Sequence, residues 1–66
     1  MCIKIIELIG TSKKSYEDAM QDAVNTASKS LRGVTGLDVM GQTAVVEKGK
    51  IVEFRVNVKV AFKIEK

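Results

Sequence analysis

From Val52 to Ile64, apolar and non-apolar residues alternate over thirteen positions. Val52, Phe54, Val56, Val58, Val60, Phe62 and Ile64 would line one face of a strand, and Glu53, Arg55, Asn57, Lys59, Ala61 and Lys63 the other. At about 3.3 Å per residue such a strand is roughly 43 Å long. A compact chain of 66 residues has a radius of gyration of only ~11 Å and a diameter of roughly 28 Å. The strand must therefore curl tightly or leave an overhang for other copies of the chain to bury.

Upstream, Cys2 to Ile9 is rich in isoleucine and leucine and ends at Gly10-Thr11-Ser12, which predicts a first strand. Tyr16, Ala19, Met20, Ala23, Val24, Ala27 and Leu31 then fall on one narrow helical stripe. Ser15 and Asp18 have the spacing of a capping box, with Asp for the usual Glu. Glu17 and Asp18 suit the positive end of the helix dipole, Lys29 and Arg32 its negative end. Gly33 is placed to supply the left-handed residue that stops the helix. With three alanines in the stripe, the helix must lie close to its sheet, and it would be ~25 Å long. Val34 to Glu47 predicts a second β region with Leu37, Val39, Thr43 and Val45 on one parity, interrupted by Gly36 and Gly41 as bulges or bends. Glu47-Lys48-Gly49-Lys50 closes a hairpin into the long strand. The fold class is α+β: one domain over residues 1–66, order β-α-β-β, a three-stranded, mostly antiparallel sheet curled around one helix.

Composition narrows the function. A chain this short buries only about 60% of its unfolded surface and needs a disulfide, a metal or association. One cysteine and no histidine exclude an internal disulfide and the usual zinc ligand sets, so association remains. The absence of histidine removes Ser-His and Cys-His pairs, and no carboxylate pair sits in an apolar setting; an enzyme is not expected. Cys2 lacks a neighbouring base and reads as a packed or edge thiol. Gly10-Thr11-Ser12 lies where backbone N–H groups can hold an anion, but P-loop spacing is absent and a turn with a helix cap accounts for it. The net charge of +3 is scattered. Lys48, Lys50, Arg55 and Lys59 could serve a β-ribbon nucleic-acid binder, yet Glu47 and Glu53 lie among them and no stacking platform accompanies them; no nucleic-acid partner is expected. No apolar run approaches the ~18 residues of a membrane span, and the absence of an export signal with one unpaired thiol points to the cytoplasm.

The order β-α-β-β, the segment Ile9-Gly10-Thr11-Ser12 followed by Ser15-Tyr16, the stripe through Ala19, Ala23 and Ala27, and the ending Val58-Lys59-Val60-Ala61-Phe62 together resemble the dodecins. The resemblance runs from about residue 3 to 65. It implies a hollow homododecamer of cubic symmetry that binds and buffers flavins without turning them over. In flavin-binding dodecins two symmetry-related subunits share each pocket, a tryptophan from each sandwiches a stacked pair of isoalloxazine rings, and a glutamine of the last strand bonds the ring edge. Those positions correspond to Gly36 and Arg55 here, and Asp38 lies where an acidic residue often follows the tryptophan.

This chain has no tryptophan, and aromatic pairs contribute about 0.5–1.5 kcal/mol beyond their burial. Two readings of the pocket follow. Gly36 leaves a roomier cleft for a flavin such as FMN or riboflavin, or another flat or phosphorylated molecule, with Arg55 gripping its anionic part. Alternatively the shell is structural or holds calcium or another divalent cation, as the resemblance to flavin-free, calcium-linked dodecins implies. Calcium takes six to eight oxygens, which Asp38, Glu47, Glu53 or backbone carbonyls of several subunits could supply. No EF-hand spacing names a metal ligand.

Overall fold

The computed structural model describes residues 1–64. Strand β1 (Cys2–Ser12) leads into helix α1 (Tyr16–Ser30), followed by β2 (Val34–Glu47) and β3 (Lys50–Ile64). The three strands form one antiparallel sheet in the order β1-β3-β2, with the long last strand in the centre. The expected fold class is the observed one.

The core is one layer thick. Val56, Val58 and Val60 of β3 are fully buried against Ala19, Ala23 and Ala27 of α1. Because directly opposed residues share a sheet face, Ile6 and Leu8 (opposite Val60 and Val58) and Leu37 (opposite Val60) join this inner face. Alanine on the helix lets its backbone approach the sheet. Tyr16 closes one end of the core by meeting Phe54 edge-to-face, with ring centroids 4.9 Å apart.

The helix start departs from the simple capping box. Ser15 Oγ accepts from Asp18 N at 3.0 Å, as the spacing predicts. The Asp18 carboxylate accepts instead from Ser12 Oγ at 2.7 Å, and Ser12 Oγ in turn accepts from Lys14 N at 2.9 Å. Thr11 N donates to Asp22 Oδ2 at 3.1 Å. The N–H groups around Gly10-Thr11-Ser12 are thus taken up by the chain's own side chains, which is the turn-and-cap reading. The helix end differs too. Leu31, in extended geometry, already terminates α1 while its N–H donates to Ala27 O at 2.9 Å. Gly33, at φ 73°, lies beyond the cap and turns the chain into β2, its carbonyl accepting from Lys63 N at 3.1 Å.

In β2 the expected parity breaks. The pairing with β3 shifts between Val34 and Gly36 and again between Val39 and Gly41, so both glycines mark the bulges the sequence suggested. The second bulge inverts the facing downstream of it. Leu37 and Val39 stand opposite Val60 and Val58 on the inner face, whereas Thr43 and Val45 stand opposite Arg55 and Glu53 on the outer face. A third shift, between Val45 and Val46, leaves Val52 without an opposing residue, so it leaves the apolar row of β3. Lys48 and Gly49 both adopt positive φ (52° and 78°) between paired Glu47 and Lys50, a two-residue hairpin turn of the type whose twist matches the strands.

The protomer is extended, measuring 50 × 19 × 14 Å with a radius of gyration of 13.4 Å, against the ~11 Å of a compact chain. Of the two outcomes open to so long a strand, the overhang is the one realised, since a helix of 15 residues reaches only about 22 Å.

Candidate functional site

The face of the sheet turned away from α1, here the outer face, carries every pocket residue that the sequence singles out. It is organised in cross-strand rows. Ile3 stands opposite Lys63; Ile5, Ala61 and Gly36 form the next row; Glu7, Lys59 and Asp38 the next; then Ile9, Asn57 and Gly41; then Thr11, Arg55 and Thr43; and finally Glu53 with Val45. No helix covers these rows. Ile3, Ile5 and Ile9 are 56%, 57% and 63% exposed, which costs burial free energy unless another surface meets them.

Gly36 and Asp38 therefore occupy adjacent rows, but Arg55 does not join them. Ala61, the partner of Gly36, is six residues along β3 from Arg55, about 20 Å. Within one protomer the three positions cannot line one small pocket; only outer faces of different copies could bring them together. The space at Gly36 is open: a Cβ there meets only Ala61 Cβ, at 3.9 Å, an ordinary contact. Arg55 is held from its own strand, its Nε–H donating to Glu53 Oε2 at 2.8 Å. That pair is partly exposed, so its worth to stability is under about 1 kcal/mol; its effect is to fix the guanidinium plane.

Two hollows open on this side. One, of about 320 Å³, is lined by Glu7, Leu8, Ile9 and Asn57. Asn57 Oδ1 is buried there with no hydrogen-bond partner among the described residues; its cross-strand neighbours are Ile9 and Gly41, whose side chains offer none. The other, of about 330 Å³, is lined by Lys13, Val45, Glu47, Val52, Glu53 and Arg55. Thr43 beside Arg55 was hidden from sequence reasoning, since parity counted from Leu37 puts it on the inner face and only the bulge before Gly41 turns it outward. Thr11 could have been found: it continues the odd parity of β1 past Ile9. Among the described residues no group of three or more Cys, Asp or Glu could hold a metal ion within one protomer, so any cation site built from Asp38, Glu47 or Glu53 needs several copies. Among the described residues no helix is long and apolar enough to cross a membrane, and Cys2 is a free, exposed thiol on the edge strand β1.

The fold is a small sheet with one helix on its inner face and an outer face that no element of the same protomer covers. The dodecin family profile matches residues 2–65, and the chain belongs to that family. It is 33% identical over 61 residues to the calcium dodecin of Mycobacterium tuberculosis, covering 92% of this chain and 86% of that protein. It is 32% identical over 62 residues to the dodecin of Thermus thermophilus, covering 94% and 90%. The dodecin structure from Streptomyces coelicolor superimposes with a TM-score of 0.95 at 28% identity, over 98% of this chain and 93% of that one.

Proposed function

We propose that this chain is a non-enzymatic binding and storage protein that assembles as a homododecamer, occupies the cytoplasm and sequesters a small molecule between protomers. Gly36, Asp38 and Arg55 line the shared pocket, and the favoured ligand is a flavin, FMN or riboflavin. The observation carrying this reading is the uncovered outer face: exposed Ile3, Ile5 and Ile9 beside open space at Gly36, on a sheet about twice as long as its helix. The isoleucines supply the apolar area for association, and the missing Cβ at Gly36 leaves room for a flat ring. Native mass spectrometry of the purified protein, with its visible absorbance, tests this: a twelve-subunit mass retaining a yellow ligand is expected. A colourless dodecamer that leaves FMN and riboflavin fluorescence unquenched would remove flavin from the proposal.

A second reading, a flavin-free shell binding calcium or another divalent cation, is favoured by the 33% identity to a protein named calcium dodecin and by the lack of any tryptophan to stack on a ring. Thermal stability that rises with calcium and falls with chelator is the expected signature; indifference to both counts against it.

A further inference from the structure

We infer that Asn57 and Lys59 form the centre of a two-fold contact between the outer faces of two copies of this chain, Lys59 of each copy donating to the buried Asn57 Oδ1 of the other. The inference deepens the shared-pocket reading above and rests on it for the placement of Gly36 against Arg55.

Each protomer leaves this pair of residues incomplete. Asn57 Oδ1 is buried and accepts no hydrogen bond among the described residues, which costs free energy until a donor arrives. Its own row supplies none, since Ile9 and Gly41 flank it. A Cβ added at Gly41 meets nothing within 4 Å, so the β2 side of Asn57 is open to a group from outside the protomer. Lys59 follows two residues later on the same face, between Glu7 and Asp38. Its ammonium, with three donors and no acceptor, pairs with neither acid among the described residues. An acceptor without a donor thus lies beside a cation without an acceptor.

Symmetry sets their positions. When two outer faces meet with their β3 strands antiparallel, the cross-strand rows pair in reverse order. Gly36 of one copy, in the row of Ala61, then reaches Arg55 of the other only if the two-fold crosses β3 midway between Ala61 and Arg55. That midpoint falls between Asn57 and Lys59, so the two residues oppose each other twice, once in each direction. Packed sheets lie about 10 Å apart, a gap that an extended lysine and an asparagine bridge with a charge-assisted hydrogen bond. The same register opposes Glu53 to Lys63, of opposite charge, and Arg55 to the uncharged row of Ile5, Ala61 and Gly36. Neighbouring registers lose this match. A centre on Asn57 opposes Arg55 to Lys59, and a centre on Lys59 opposes Lys59 to itself and Arg55 to Lys63. A two-fold running along the strands sets every row on its own copy. Like-charge juxtaposition counts against all three.

The test needs no ligand. In a Cys2→Ser background, Asn57→Cys and Lys59→Cys chains are refolded together and treated with a short bismaleimide. Cross-links joining position 57 of one chain to position 59 of another should exceed 57–57 and 59–59 cross-links. Predominance of either like pair, or no cross-link between chains, overturns the inference. Sedimentation at falling protein concentration provides a second arm. Asn57→Lys, which opposes two lysines, should raise the concentration at which the assembly dissociates about tenfold or more, and Asn57→Lys/Lys59→Asn should restore the wild-type value. Wild-type behaviour of Asn57→Lys, or no recovery in the exchanged variant, counts against the pair; if Asn57→Lys does not fold, the cross-links decide. A wild-type protein of multi-subunit native mass with like-pair cross-links defeats this contact alone, whereas a solitary wild-type protomer defeats the shared-pocket reading as well.

Discussion

Gly10 of β1 lies against the Ala19 carbonyl of α1: a Cβ at position 10 would overlap that oxygen and stand 3.1 Å from Ala23 Cβ. The obstacle is backbone, so no rotamer change relieves it. Helix and sheet are in contact here through the absence of a side chain on one and a methyl on the other. Gly10→Ala is expected to destabilise the protein by about 3 kcal/mol, the upper range for overpacking. Denaturant midpoints compared at equal protein concentration check this, since association makes stability concentration-dependent; an unchanged midpoint would show that the helix can move away without penalty.

Ser12 is a small buried hub, 8% exposed, whose hydroxyl donates to Asp18 and accepts from Lys14 N. Ser12→Ala leaves a carboxylate and a backbone donor short of a partner at the helix start. A loss of about 1–2 kcal/mol is expected, the scale of a cap deletion. Equilibrium unfolding measures it, and Ser12→Thr, which keeps the hydroxyl, should lose less.

Ile5 and Ile9 on the outer face invite coverage by other copies. Ile9→Lys would place a charge where an apolar contact worth about 2 kcal/mol per side chain is expected, repeated in every protomer. Sedimentation velocity should show the assembly broken into smaller species. An Ile9→Lys protein of wild-type mass would mean that association uses another surface.

At Gly36 an added Cβ would meet only Ala61 Cβ, at 3.9 Å, an ordinary contact. Gly36→Trp should therefore fold and assemble normally and should bind riboflavin about tenfold or more tightly than wild type, as expected from stacking on both sides of a shared pocket. Fluorescence titration decides this; unchanged affinity in a correctly assembled variant would mean that Gly36 does not face the ligand.

Much of the protein is legible in its residues taken in order. Period-two alternation from Val52 to Ile64, the stripe from Tyr16 to Leu31 and the turn at Lys48-Gly49 are local patterns, and each element forms where its pattern stands because dihedral preference and facing are set within a few residues. The mismatch between a long strand and a short chain is equally a property of the sequence, and it anticipates the 50 Å protomer. Facing in β2 is different. Which side Thr43 and Val45 occupy depends on whether Gly41 bulges against Asn57, and a bulge is decided by pairing with a strand that lies beyond the hairpin. The separation of Gly36 from Arg55, the diversion of Asp18 to Ser12 and the fit of Gly10 under Ala19 likewise exist only once distant segments meet. Sequence by itself determines the elements, because their causes are local; tertiary structure decides which side chains share a surface, because one extra residue in one strand inverts everything after it.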